Sequence, residues 1–217
     1  MCLQVTVRVS QHRGGTPIRD STQYVITGQV DVLWRFRAVK AAVLRKVRQQ
    51  RFGVRRRLLH VAARQRQARH AVYADLTWVG FAGDRVPDEV AHLFAIARDA
   101  RAAMLALVGE RLKKKLPVRG FELDDAARAV AVKAGFGDRL LRPSGHCLDT
   151  RRFGDGPTFD DAITRDDRQL LLRTGYVAEP GLYVAGAFGV RVAVDFFLAP
   201  DGVHTMPPTQ QEIDLIR

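Results

Sequence analysis

From residue 145 onward the chain is a series of short β-prone runs, at 176–178, 181–184 and 190–198, cut by glycine and proline. Proline cannot donate to a strand ladder and glycine weakens a strand interior, so the runs end where those residues stand. Three polar motifs punctuate them: Ser144-Gly145-His146, Glu179-Pro180-Gly181-Leu182-Tyr183 and Gly189-Val190-Arg191. The strongest helical patterns lie upstream. Helices followed by strands is the order of an α+β fold.

Residues 1–10 alternate Leu3, Val5, Val7 and Val9 on one face, the period of a strand, and residues 39–47 have helical spacing. Apolar runs at 58–63 and 71–81, split by the polar stretch 64–70, predict a hairpin with a generous loop. Pro87 then marks the first turn of a helix, with Asp88 and Glu89 at its positive end. Its apolar stripe is Val90, Leu93, Phe94, Ala97, Met104, Leu105 and Val108, and it is expected to stop near Lys113-Lys114-Lys115 and Pro117. A second helix is expected from about Glu122, carrying Ala126, Ala127, Val130 and Ala131 as far as Gly135.

With 217 residues, 47% of them hydrophobic, the chain can bury one sizeable core. It has no apolar run of the roughly 20 residues that a spanning helix needs and no apolar leader, so a cytoplasmic location without membrane contact is expected. Cys2 and Cys147 offer no disulfide framework and no paired metal spacing. The net charge of +12 is uneven: residues 1–72 hold 16 Lys and Arg against Asp20 and Asp31, while the remainder is close to balanced. The stretch 35–69, with Arg55-Arg56-Arg57, could grip phosphates or an acidic partner. No aromatic interleaving accompanies it, so a solvated face is the plainer expectation.

Four segments, within about residues 52–215, carry a family likeness. They are Tyr73-Ala74-Asp75-Leu76-Thr77, Val118-Arg119-Gly120-Phe121-Glu122, Gly145-His146-Cys147-Leu148-Asp149, and the stretch from Glu179-Pro180-Gly181 through Gly189-Val190-Arg191. In this order they resemble the metallopeptidase family of aminopeptidase P, prolidase, Xaa-Pro dipeptidase, methionine aminopeptidase and creatinase. The resemblance implies the pita-bread fold over residues 52–217, shortened or irregular in its N-terminal half. Residues 1–51 match nothing in it and form a separate basic segment.

The resemblance also implies a site in which two aspartates, a histidine and two glutamates hold two divalent cations. A metal-bound water then attacks the peptide carbonyl. Asp75 matches the second aspartate, His146 the histidine and Glu179 the first glutamate. The best alignment puts His60 at the first aspartate, and the second glutamate falls on Ala193. A further histidine that meets substrate falls on Phe153, and Arg191 matches an arginine that orients carboxylates or a substrate terminus. Two carboxylates cannot balance two divalent ions, so at most one ion is expected: zinc, iron, manganese or cobalt on His60, Asp75, His146 and Glu179, or none. Asp195 shares a strand face with Ala193, yet bringing it inward would need a register slip that also displaces Arg191, so simple loss is the preferred reading.

The expected function is therefore that of a divergent Xaa-Pro aminopeptidase or prolidase relative, acting on a peptide or small molecule, with hydrolysis weakened or lost. The alternatives are a non-catalytic protein that keeps the pocket for binding, and a binder of nucleic acid or an acidic partner through the basic third. Apolar edges left by a shortened N-terminal half lead to the expectation of a homo-oligomer.

Overall fold

The computed structural model describes residues 2–11, 26–27, 57–65, 71–151, 154–206 and 208–216. The helix expected at 39–47, most of the basic segment and Phe153 lie outside them. Strands β1 (Cys2–Gln11), β2 (Ile26–Thr27), β3 (Arg57–Gln65) and β4 (Ala74–Ala82) come first. Helices α1 (Asp88–Lys113) and α2 (Gly120–Lys133) follow. Eight further strands complete the order: β5 (Gly145–Cys147), β6 (Thr158–Phe159), β7 (Thr174–Ala178), β8 (Gly181–Val184), β9 (Phe188–Arg191), β10 (Val194–Ala199), β11 (Gly202–Met206) and β12 (Asp214–Ile216).

One sheet runs β12-β4-β3-β1-β2 and a second runs β11-β10-β7-β5-β6, while β8 and β9 form a hairpin of their own. Helices α1 and α2 pack on each other, and α1 also meets β7, β8, β9 and β11. The expected hairpin is the β3–β4 pair, but β3 continues through Arg64 and Gln65 into what reads as loop. Main-chain pairing with β4 is indifferent to side-chain polarity, which is why the apolar run ends before the strand does. The single run at 190–198 is in fact two strands, interrupted at Val192 and Ala193. There the backbone of Ala193 turns aside to bridge Thr77 of β4.

The stripe on α1 is buried as its spacing predicts, with Val90, Leu93, Phe94, Ala97, Met104 and Val108 in the core. Each large side chain so buried contributes about 1.5–3 kcal/mol of transfer free energy. Pro87 stands just before the helix rather than inside it, and its carbonyl accepts the amides of Val90 and Ala91. Helix α2 starts two residues earlier than expected, because the Glu122 carboxylate reaches back to the amide of Arg119 at 2.8 Å and caps the first turn. Phe159, Tyr176 and Phe196 stack across β6, β7 and β10, their ring centroids 5.5–6.2 Å apart.

One polar strap crosses the fold. Gln210 accepts the Val79 amide at 2.9 Å and donates to the Val79 carbonyl at 2.7 Å, so its side chain acts as a short extra strand beside β4. Buried Arg101 of α1 donates to the Gln210 carbonyl at 2.6 Å. Just beyond, β12 pairs in parallel with residues 80–82 of β4. Strand β4 is consequently buried along its whole interior.

Candidate active site

Asp75 and Thr77 sit near the start of β4, His146 in the middle of β5, Glu179 just past β7, and Arg191 at the end of β9. Burying polar side chains within strands is costly unless each finds a partner, and the two sheets meet where these strands approach. Thr77 and Ala193 exchange backbone hydrogen bonds of 3.4 and 3.5 Å. The Ser144 carbonyl accepts the Glu179 amide at 2.7 Å, which fixes that residue beside the histidine strand. Glycine at 145 is required by close approach: a Cβ there would collide with the Val177 carbonyl and the Phe159 ring.

His146 is the hub. Its Nε2 lies 3.6 Å from Asp75 Oδ2 and 3.7 Å from Glu179 Oε1, while Nδ1 is 2.8 Å from its neighbour's carbonyl, that of Cys147. Burial pushes the imidazole toward its neutral form. Hydrogen bonding to Asp75 and Cys147, together with the charges of Glu179 and Asp75, outweighs it and raises the pKa. Arg191 sits against the other side of Glu179, Nη1 to Oε2 at 3.0 Å, and its Nη2 donates to Thr77 Oγ1 at 3.3 Å. Asp75, His146, Glu179 and Arg191 are thus brought into one cluster.

His60 is not placed with them by register. It pairs with Val79, whereas the residue opposite Asp75 is Arg64. Four residues along a strand amount to roughly 13 Å. The misplacement has a plain cause: Leu58-Leu59-His60-Val61 is the most strand-like part of the segment, but the strand reaches further than its apolar run.

Asp195 departs from the expectation that it stays out of the site. It lies inward with no register slip, buried, and both carboxylate oxygens accept the Asp75 amide, at 3.0 and 3.2 Å. The break at 192–193 explains this, since it lets β10 take its own alignment while Arg191 stays on β9. Burial, with the nearby charges of Asp75 and Glu179, holds the Asp195 carboxyl well above the usual carboxylate range, against the pull of the Asp75 amide. Thr77, which joins Arg191 to the seam, was visible in sequence only as part of the Asp-x-Thr motif.

A pair of divalent ions does not fit this donor set. Among the described residues no group of three or more His, Cys, Asp or Glu is disposed to hold a metal ion. The carboxylates close on His146 and Arg191, and Ala193, bridged to Thr77 two residues from Asp75, brings only a methyl group. Cys147, although adjacent to His146, is a buried thiol whose pKa burial raises. Its Sγ turns to the Leu148 carbonyl, which makes it a packing residue.

Comparison with known proteins is consistent with this geometry. The profile of "Metallopeptidase family M24" matches residues 67–199. An Xaa-Pro dipeptidase of Lactobacillus helveticus is 26% identical over 131 residues, which is 59% of this chain and 32% of that protein. Among solved structures, an X-Pro aminopeptidase from Thermotoga maritima superposes with a TM-score of 0.68 at 20% identity, over 98% of this chain and 49% of the other. A prolidase from Pyrococcus furiosus does so with a TM-score of 0.65 at 15% identity, over 96% and 50%. These alignments span half or less of each relative's length. No helix among the described residues is long and apolar enough to cross a membrane. With four motif segments on one two-sheet scaffold and the profile match spanning most of the chain, the protein belongs to metallopeptidase family M24 and has the pita-bread fold.

Proposed function

We propose that this chain is a prolidase-like member of its family in which the pocket survives and two-metal peptide hydrolysis is lost or much weakened. The observation that carries the reading is Ala193. Its backbone is bridged to Thr77, two residues from Asp75, so the position lies at the site, and its side chain offers no donor. A metal pair supplies this chemistry by deprotonating a bound water and stabilising the oxyanion, and each ion needs carboxylates to balance its charge. Asp75 and Glu179 are two carboxylates, already approached by His146 and Arg191. At most one divalent ion is expected, on Asp75, His146 and Glu179. What these residues do without it is hold a polar, partly buried pocket in which Arg191 can meet a peptide carbonyl or carboxylate.

Elemental analysis of the purified protein after dialysis against manganese, paired with hydrolysis assays on Xaa-Pro dipeptides, tests the proposal. At most one ion per chain, and turnover absent or orders of magnitude below that of an intact relative, is the expected result. Two tightly held ions with efficient cleavage would return the chain to the active peptidases.

A second reading concerns the basic third, and the uneven charge favours it. If that segment binds polyanions, affinity for heparin or DNA falls steeply with salt and is lost on truncation to residue 69. Retention of salt-sensitive binding by the truncated chain excludes it. Self-association is proposed through exposed apolar residues such as Phe197 and Met206 of the neighbouring strands β10 and β11. A monodisperse monomer in light scattering at tens of micromolar, roughly where exposed apolar surface aggregates, would exclude this.

A further inference from the structure

The β3–β4 pairing is continuous from Arg57–Ala82 to Gln65–Ala74. Within it Arg64 stands opposite Asp75, Ala62 opposite Thr77 and His60 opposite Val79. Residues directly opposite on an antiparallel pair have Cβ atoms about 4.5–5.5 Å apart, close enough for a charge pair to govern both. Position 64 is therefore the cross-strand neighbour of Asp75, and the residue there is a permanent cation.

The other corner of the cluster supplies a precedent. Glu179 is met by Arg191 at 3.0 Å, and Arg191 is fixed in turn by Thr77 on the same strand as Asp75. His146 stands between the two carboxylates, 3.6 and 3.7 Å from them. The two carboxylates are thus matched in number by two arginine positions, 191 beside Glu179 and 64 opposite Asp75 in the strand register. Asp195 gives its carboxylate to the Asp75 amide and anchors that strand, standing apart from the pairing.

We propose that arginine has taken the place of divalent cations in this site, Arg191 through its ion pair with Glu179 and Arg64 through its register position opposite Asp75. The inference rests on the reading of the site as poor in metal and adds what replaced the metal. A divalent ion entering such a cluster would bring two unbalanced positive charges within a few ångströms of existing cations, a repulsion that burial strengthens. Guanidinium suits the substitution because it stays charged across the working pH range and offers a planar fork to a carboxylate. Lysine would not be equivalent. The proposal also ranks positions: restoring a metal ligand should succeed at 64 and fail at 60.

Manganese titration calorimetry on the full chain tests this, with melting temperatures measured with and without EDTA. Four proteins are compared: the wild type, Arg64→Asp with Ala193→Glu, His60→Asp with Ala193→Glu, and Arg64→Gln alone. The first double variant is expected to bind manganese at least about ten-fold more tightly than the wild type, a difference of about 1.4 kcal/mol, and to melt lower in EDTA. The His60 double variant is expected to match the wild type, which EDTA should leave unchanged. Should the Arg64 double variant not fold, Arg64→Gln decides, because loss of one cation alone should strengthen manganese binding several-fold. A folded Arg64 double variant with no gain, a gain at His60 instead, or Arg64→Gln binding manganese as the wild type does would each overturn the proposal. If the wild type itself binds two manganese ions tightly, the metal-poor reading fails as well; if it binds none and the Arg64 variants gain nothing, only this inference fails.

Discussion

Helices α1 and α2 and the strands that carry the site obey different rules. On α1 the buried positions are almost all apolar, with Arg101 the exception, and that residue is bound to the Gln210 carbonyl. Strands β4, β5 and β10 bury Asp75, Thr77, His146 and Asp195 among their apolar residues. The helices are where the pattern of the sequence and the needs of the core coincide. The site strands are where they conflict, and groups on other elements answer the conflict: Asp195 accepts the Asp75 amide, Thr77 accepts from Arg191, and His146 lies against Asp75 and Glu179. On these strands, buried polarity marks the seam between sheets.

If that contrast is correct, apolar packing dominates stability and the seam contributes modestly. The largest effect should come from Phe159→Ala, which removes a fully buried ring stacked on Tyr176 and Phe196. A loss of about 3–5 kcal/mol in urea unfolding is expected. A loss below roughly 1 kcal/mol would mean that the aromatic layer is not a core.

Next is Asp166, which is buried and accepts from Arg168 and from the Thr158 amide. Hydrogen bonding from Arg168 is the main reason its pKa falls below the ordinary carboxylate value. A lowered folded-state pKa means that the unfolded chain binds its proton first as pH drops. The stabilisation is therefore complete above the unfolded value, near about 4, and disappears as pH falls through the lower folded one. Asp166→Asn should cost about 1.5–3 kcal/mol at neutral pH, with the gap from wild type closing in acid. A gap independent of pH would show that charge is not its source.

Gln210→Ala should cost about 1–2 kcal/mol, because two hydrogen bonds to Val79 are lost. Amide exchange at Val79 gives the sharper measurement, and unchanged protection there would show that the strap is dispensable. The smallest effect belongs to Thr77→Val, which deletes one long hydrogen bond to Arg191 and keeps the shape. A change within about 1 kcal/mol is expected. A much larger one would make the seam, rather than the core, the principal support of β4.

The sequence was most legible where periodicity and burial agree. The stripe Val90, Leu93, Phe94, Ala97, Met104 and Val108 located α1 to within a residue or two, and the hairpin of β3 and β4 was readable from its two apolar runs. Asp75, His146, Glu179 and Arg191 could be picked out because each belongs to a motif with its own spacing, and the structure gathers all four. What failed was register. Aligning residues 58–61 with the family pattern puts His60 at the first aspartate, but strand pairing is set by backbone alignment along the whole hairpin, and that places Arg64 opposite Asp75. The inward position of Asp195 depends on a two-residue interruption that leaves no trace in hydrophobicity, since Val190, Val192 and Val194 continue the apolar pattern without a break. Strands β5, β6 and β12, of two or three residues each, are too short to show any period.

The Gln210 strap has a consequence for how the molecule is made. Val79 lies 131 residues from the side chain that binds both of its backbone groups, and β12 closes on the same strand from a similar distance. Contacts so remote in sequence close slowly, because chain entropy is lost before any pairing is gained. At about 5–20 residues per second, a ribosome takes roughly 7–26 s to go from one to the other. Throughout that interval β4 can pair with β3 while its other edge, next to Trp78 and Phe81, still awaits its cover. Holding that edge clear of other chains is then a task for the cell, and a nascent chain stalled before residue 210 should be the form most readily bound by a chaperone.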